Sequence, residues 1–270
     1  MAMRLHVEAR LDYDFPEDVE ALLHLEVAHG PDQTIVAENL TFDPPIAHAR
    51  LDDPATGERR VVFRHRGGLK VTYVAMVDLK PRETALAGAR QHAVADLPVD
   101  VLPFLRGSRF VESDRFEQIA RHEFGLLTGG DRVEAILNWL RTHLAYRPGS
   151  SDATTTAIGS YVNRQGVCRD YAHVAAALCR ASDIPARLVS AYALGLDPPD
   201  FHAVIEAYVG GGWRLADPTG LVSPTGLVRI GEGRDAADIA FLTIFGEAMM
   251  IAQSVTVRDI SEEAAKPAAA

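Results

Sequence analysis

The apolar residues change their repeat twice along this chain, and that change limits the fold more than any other feature. From residue 3 to about 80 the period is two. Arg4-Leu5-His6-Val7-Glu8-Ala9-Arg10-Leu11 alternates, Leu23-His24-Leu25-Glu26-Val27 does the same, and strand-like runs follow at 34–42, 60–64 and 69–79. Pro44-Pro45, Thr56-Gly57 and Gly67-Gly68 separate them. Alternation puts one set of side chains on one sheet face, and several short strands at this spacing predict an antiparallel β-sandwich. No titratable cluster in it suggests chemistry, so its expected role is scaffolding or the shaping of a substrate.

The pattern turns helical after the stretch between Pro81 and Pro103. Ser113-Asp114 opens one helical run through Leu127. Gly129-Gly130-Asp131 opens a second, with Val133, Ile136, Leu137, Leu140 and Leu144 at helical spacing and Trp139 among them as a core residue. Residues 154–162 read as a short helix or turn leading to Gly166. From Cys168 to about Ala181 the pattern is helical again, rich in alanine, and it stops at Asp183-Ile184-Pro185 because the residue before proline avoids helical angles. Strands follow at 186–193, 202–209 and 213–217, then strand and loop to Val257. The expected organisation is a β-sandwich over 1–90, an α+β core over 91–260 and a disordered tail over 261–270.

With 270 residues, 47% of them apolar, the chain can bury one large core or two ordinary ones. The formal charge of −10 comes from 27 basic and 37 acidic residues, and no Lys/Arg block offers a footprint for nucleic acid. The first eight residues contain no apolar run of signal-peptide length, and no stretch approaches the ~18 apolar residues of a membrane span. A soluble cytoplasmic protein is expected, bound to neither nucleic acid nor membrane. The only cysteines are Cys168 and Cys179. Eleven residues apart on one helix, they stand roughly 16 Å from each other and cannot pair. Two cysteines do not make a structural zinc set, and His122-Glu123-Phe124-Gly125 is not a two-histidine zinc helix. No metal and no cofactor are expected.

Chemistry concentrates in Gly166-Val167-Cys168-Arg169-Asp170-Tyr171-Ala172-His173, with His202 and Asp217 downstream. A cysteine on the first turn of a helix meets free backbone N–H groups and the positive end of the helix dipole, both of which favour a thiolate. The alternative for Cys168 is a small buried core residue, which suits Cys179 better. His202 opens the strand His202-Ala203-Val204-Ile205-Glu206-Ala207-Tyr208-Val209, where a histidine can point into a cleft. His173 lies five residues past Cys168 on the same helix, turned about 140° from it, and cannot serve as its base. Asp217 depends on register. A two-residue Gly210-Gly211 loop pairs Val209 with Gly212, which brings Asp217 opposite Val204 and diagonal to His202 on one face. A regular three-residue loop would send Asp217 to the other face. Its alternative role is a turn cap before Pro218.

The segments Gly166 to His173, Ser182-Asp183-Ile184-Pro185-Ala186-Arg187, His202-Ala203-Val204-Ile205-Glu206 and Gly212-Trp213-Arg214-Leu215-Ala216-Asp217-Pro218-Thr219 resemble consecutive blocks of a bacterial transglutaminase-like core. Gly233-Arg234-Asp235-Ala236-Ala237-Asp238 resembles a later block, and residues 3 to about 80 resemble the β-rich region that often precedes such cores. The resemblance implies an α+β papain-like core whose cysteine-bearing helix packs on an antiparallel sheet. It makes Cys168 the nucleophile, His202 the general base and acid, and Asp217 the group that orients His202. Val204 departs from the pattern, since many members carry tryptophan after the histidine–alanine pair. Asn163 and Gln165 are candidates for a second oxyanion donor or for turn caps. The implied reaction is acyl transfer from an amide through a thioester, with a peptide or amide as substrate. Hydrolysis is the expected outcome. Transfer to an amine and a non-catalytic peptide-binding module are the alternatives. No loop of spaced carboxylates suggests calcium.

Overall fold

The computed structural model describes residues 3–264. The chain begins with β1 (Met3–Leu23), β2 (Gln33–Asp43), β3 (His48–Asp52) and β4 (Arg59–Leu79). β1 and β4 run antiparallel for almost their whole length, so runs that read as separate strands are continuous. Their pairing slips once, between Phe15 and Val19, where Pro16 falls among unpaired residues and Gly67 faces Phe15. A proline has no N–H to give a ladder, and a glycine accepts a sharp bend, so both belong at this irregularity. Gly67-Gly68 therefore marks a bend in β4 and not its end. β2 pairs with β4 on one side of the bend and β3 on the other. Leu5, Val7, Ala9, Leu11, Tyr13, Phe15, Val19, Ala21 and Leu23 alternate into one core.

Leu23 to Val27 is a strand only at its first residue. Beyond it the backbone finds partners outside any ladder: the His24 N–H donates to the Phe241 carbonyl at 2.8 Å and the Val27 N–H to the Tyr73 hydroxyl at 3.0 Å.

The middle of the chain supplies α1 (Glu117–Phe124), α2 (Gly129–His143), the two-residue β5 (Ala145–Tyr146), α3 (Ala157–Asn163), the two-residue β6 (Gln165–Gly166), α4 (Cys168–Arg180), β7 (Ala186–Ala193), β8 (Phe201–Val209), β9 (Gly212–Ala216), β10 (Leu227–Gly233) and α5 (Ala236–Ile239). β10, β7, β8 and β9, in that order, form an antiparallel sheet. α4 is the central helix, and every residue from Asp170 to Arg180 is buried. Ala172, Ala175, Ala176 and Ala177 favour the helix and admit close neighbours. Its far end is a left-handed cap: Asp183 has φ 58°, the Ile184 N–H donates to the Cys179 carbonyl at 3.0 Å, and the Asp183 N–H donates to the Arg180 carbonyl at 3.1 Å. Ala203, Ile205, Ala207 and Val209 of β8 share one core with α4, α1 and α2.

The chain then returns. β11 (Leu242–Phe245) and β12 (Met249–Asp259) pair with the two halves of β1 and complete a six-stranded sheet. The β-rich layer is thus drawn from both ends of the sequence. Its core also takes in Tyr192 of β7 and Val228 and Ile230 of β10, and the Tyr192 hydroxyl donates to the Leu25 carbonyl at 2.7 Å. The tail expected to be disordered over 261–270 starts with a short helix, α6 (Ser261–Ala264), and its residues 265–270 lie outside the described residues. No helix among the described residues is long and apolar enough to cross a membrane.

Candidate active site

Cys168 is the first residue of α4, and its thiol is half-buried. The segment that delivers it is held tightly. α3 stops at Arg164, which takes a left-handed φ of 55° and turns the chain into β6. Its guanidinium lies over the rings of Tyr161, at 4.3 Å, and Trp139, at 4.7 Å. Asp170, on the first turn of α4, accepts the Val167 N–H at 2.8 Å and so caps the helix that carries the thiol. The Asp170 side chain crosses over Gly166, where an added Cβ would lie 2.5 Å from the Asp170 Cβ. Close approach, not a left-handed turn, is what requires glycine there. Arg169 points away and donates to the Asp152 carbonyl at 2.8 Å.

His202 and Asp217 come together through the β8–β9 hairpin. Gly210 and Gly211, at φ 66° and 84°, make the two-residue turn, and Val209 pairs with Gly212. Ile205 then pairs with Ala216, and Asp217 follows directly. His202 Nε2 lies 3.1 Å from Asp217 Oδ1, and both side chains are buried. The contact has ion-pair distance, yet neither ring nitrogen makes an aligned hydrogen bond in this conformation. Such bonds commonly tighten only when substrate binds. The Cys168 thiol also acts on the imidazole, raising its pKa. Asp217 is fixed in turn: Oδ1 accepts the Thr219 N–H at 2.9 Å, Oδ2 accepts the Val222 N–H at 3.1 Å, and the Thr219 hydroxyl lies 2.8 Å from both oxygens. Arg141 donates to the Asp217 carbonyl at 2.6 Å.

Burial is the largest influence on His202 and pulls its pKa down, but Asp217 and the thiol together outweigh it and hold it up at about 9. At neutral pH the ring is an imidazolium. Burial likewise pushes Asp217 upward, and His202, Thr219 and the Val222 N–H more than reverse it, so the carboxyl stays below its ordinary range. A cation is therefore held between a carboxylate and a thiol beside a helix N-terminus. That arrangement can stabilise a thiolate and deliver a proton.

The other residues singled out in the sequence lie elsewhere. Cys179 is fully buried, and its thiol is pushed up to about 12 by burial. His173 is buried against Phe110, 5.5 Å between ring centres, accepts the Ala236 N–H at 3.1 Å, and is pulled down by burial to about 3. The block at 233–238 thereby acts in packing: Asp235 accepts the Ala237 N–H at 2.9 Å and the Phe110 N–H at 3.0 Å. Trp139 packs against the helical core and stacks on Tyr161 at 5.4 Å. Val204 is wholly buried among Val189, Ala191 and Leu215. Glu206 accepts from Arg187 and Arg229, each at 2.6 Å, and Trp213 stacks under Arg187 at 4.3 Å. Asn163 is exposed, and Gln165 accepts from Arg147 at 3.4 Å. The role of Thr219 was not read from sequence. Thr219 follows Asp217-Pro218 closely enough to be found as a carboxylate's turn partner.

Comparison with known proteins gives a consistent picture. The core model of the transglutaminase-like superfamily matches residues 119–218, which include Cys168, His202 and Asp217. An uncharacterized protein of Mycobacterium tuberculosis is 34% identical over 241 residues, covering 77% of this chain and 75% of that protein. An uncharacterized protein of Mycobacterium leprae is 34% identical over 120 residues, and there the match spans only 42% of the relative's length. The crystal structure of a protein from Cytophaga hutchinsonii, provisionally described as a cysteine protease, superposes with a TM-score of 0.90 at 35% identity and covers 97% of this chain and 92% of that one.

Proposed function

The chain belongs to the transglutaminase-like superfamily, and from that premise we propose that Cys168, His202 and Asp217 form a triad that hydrolyses a peptide or amide bond. One observation carries the reading: an imidazole held at 3.1 Å from a buried carboxylate, its pKa raised by that carboxylate and by the thiol at the N-terminus of α4. The Cys168 thiolate attacks the amide carbonyl carbon, and the C=O electron pair moves to oxygen. Collapse of that oxyanion breaks the C–N bond, the His202 proton goes to the departing amine, and a thioester remains. Neutral His202 then takes a proton from water, the hydroxide adds to the thioester, and the thiolate leaves with the carboxylic acid formed. Asp217 keeps the ring oriented and supports its positive charge in both halves of the cycle. The similar protein from Cytophaga hutchinsonii is provisionally described as a cysteine protease, which favours water over an amine as the acceptor.

The test is incubation of casein peptides with the wild-type protein and Cys168→Ala, with and without a fluorescent primary amine, read by mass spectrometry. Cysteine-dependent cleavage or glutamine deamidation, unaffected by the amine, is the expected result. Amine incorporation in place of hydrolysis would overturn the choice of acceptor, and equal products from Cys168→Ala would overturn the triad.

A further inference from the structure

The carboxylate of Asp217 is ordered by the turn that follows it. Arg141, reaching over from α2, donates to the Asp217 carbonyl at 2.6 Å, and the Gly220 N–H donates to the same oxygen at 3.3 Å. The guanidinium lies so close over Gly220, at φ 72°, that an added Cβ there would fall 2.8 Å from Arg141 Nε. These contacts hold the backbone of the turn and leave the carboxylate one freedom, rotation about its Cβ–Cγ bond. That torsion has broad minima, so rotamer preference does not choose which oxygen faces His202.

Thr219 makes that choice. Its hydroxyl accepts the Leu221 N–H at 3.2 Å, and its own proton is directed to the carboxylate, 2.8 Å from each oxygen. Its N–H donates to Oδ1 at 2.9 Å, while the Val222 N–H donates to Oδ2 at 3.1 Å. The hydroxyl therefore ties the end of the turn to its start and stands between the two oxygens. With Oδ2 turned back into the turn, Oδ1 lies 3.1 Å from His202 Nε2. Asp217 is 1% exposed, so water does not readily replace a donor that is lost. Resting on the assignment of Cys168, His202 and Asp217 as the triad, we propose that Thr219 is a positioning residue, its hydroxyl locking the Asp217 carboxylate in the orientation that presents Oδ1 to His202. It acts only through Asp217. The groups that act on His202 through charge are Asp217 and Cys168, and a change at Thr219 alters the charge of neither.

The test compares Thr219→Val, which puts a methyl where the hydroxyl stands, with Thr219→Ser, which keeps the hydroxyl. A methyl carbon does not approach an oxygen to 2.8 Å, so valine removes a donor and crowds the carboxylate. The readout is the rate at which the Cys168 thiolate sulfur displaces iodide from iodoacetamide, at pH 6 and at pH 9. At pH 6 a thiolate depends on its imidazolium partner, whereas at pH 9 an ordinary thiol of pKa about 8.5 is mostly ionised without one. Thr219→Val should label about 10-fold more slowly than wild type at pH 6 and within about 2-fold of it at pH 9, and Thr219→Ser should restore the rate at pH 6. A purely structural role would slow both rates alike. Wild-type rates in Thr219→Val, equal slowing at both pH values, or no recovery in Thr219→Ser would each overturn the proposal. If wild-type Cys168 labels at pH 6 no faster than it does in His202→Ala, the triad itself falls and takes the role of Thr219 with it.

Discussion

At the scale of single residues, the site depends on a contest over His202. Burial favours the neutral ring and its two partners favour the cation, and the partners win. Asp217→Asn keeps the shape and removes the charge, so His202 should titrate well below about 9, toward its ordinary value near 6.5. NMR titration of the imidazole checks this, and a midpoint that stays near 9 would show that Asp217 is not what holds the cation. The same shift has a sign for stability. A folded pKa above the unfolded one contributes stability that is complete below about 6.5 and is lost as pH rises through about 9. Asp217→Asn should flatten that part of the stability profile. Local rules marked Cys168, His202 and Asp217 as candidates, at a helix start, a strand mouth and a strand end followed by proline, and the family resemblance joined them into one site. The part played by Thr219 was not marked, because its hydroxyl meets both Asp217 oxygens only through the turn after Pro218.

At the scale of elements, the β8–β9 turn sets where the carboxylate points. Side chains alternate along a strand, so one added residue reverses every face beyond it. Inserting a glycine between Gly210 and Gly211 should leave far-ultraviolet circular dichroism near wild type, because the same ladder can form one step out of register. It should also remove the pH dependence that Asp217 gives His202, measured by the same imidazole titration. A midpoint still near 9 would mean the hairpin absorbs the extra residue as a bulge. This register was readable from two glycines. The length of β1 and β4 was not, because Pro16 and Gly67-Gly68 look like strand ends in sequence and become a shared bend once the two strands pair. Local signals report local breaks; they do not report that two breaks face each other.

At the scale of the whole molecule, β11 and β12 bind the end of the chain to its beginning. β1 lies between β4 and these two strands along most of its length. Without residues after 240, one side of a 21-residue strand would be an open edge, with the core residue Val255 missing beneath it. An exposed edge of that length pairs with other chains. A chain ending at residue 240 should therefore aggregate or fail to melt cooperatively, as followed by size-exclusion chromatography and thermal denaturation. A monomeric, cooperatively melting product would contradict this. The sequence reading placed the helical core and its sheet well, since their periods are long and clean. It could not show that 242–259 completes the first layer, because a strand's partner is a long-range choice that alternation leaves open.

The most direct test of the central claim is the rate of iodoacetamide labelling from pH 5 to 9, resolved by peptide mass between Cys168 and Cys179, in wild type and in His202→Ala. The account predicts that Cys168 alone labels rapidly at pH 6 to 7, that His202→Ala abolishes this fast reaction, and that Cys179, buried with its thiol pushed up to about 12, stays unlabelled in the folded protein. Slow labelling of Cys168 at neutral pH, indistinguishable from an ordinary thiol with pKa about 8.5 and indifferent to His202, would contradict it.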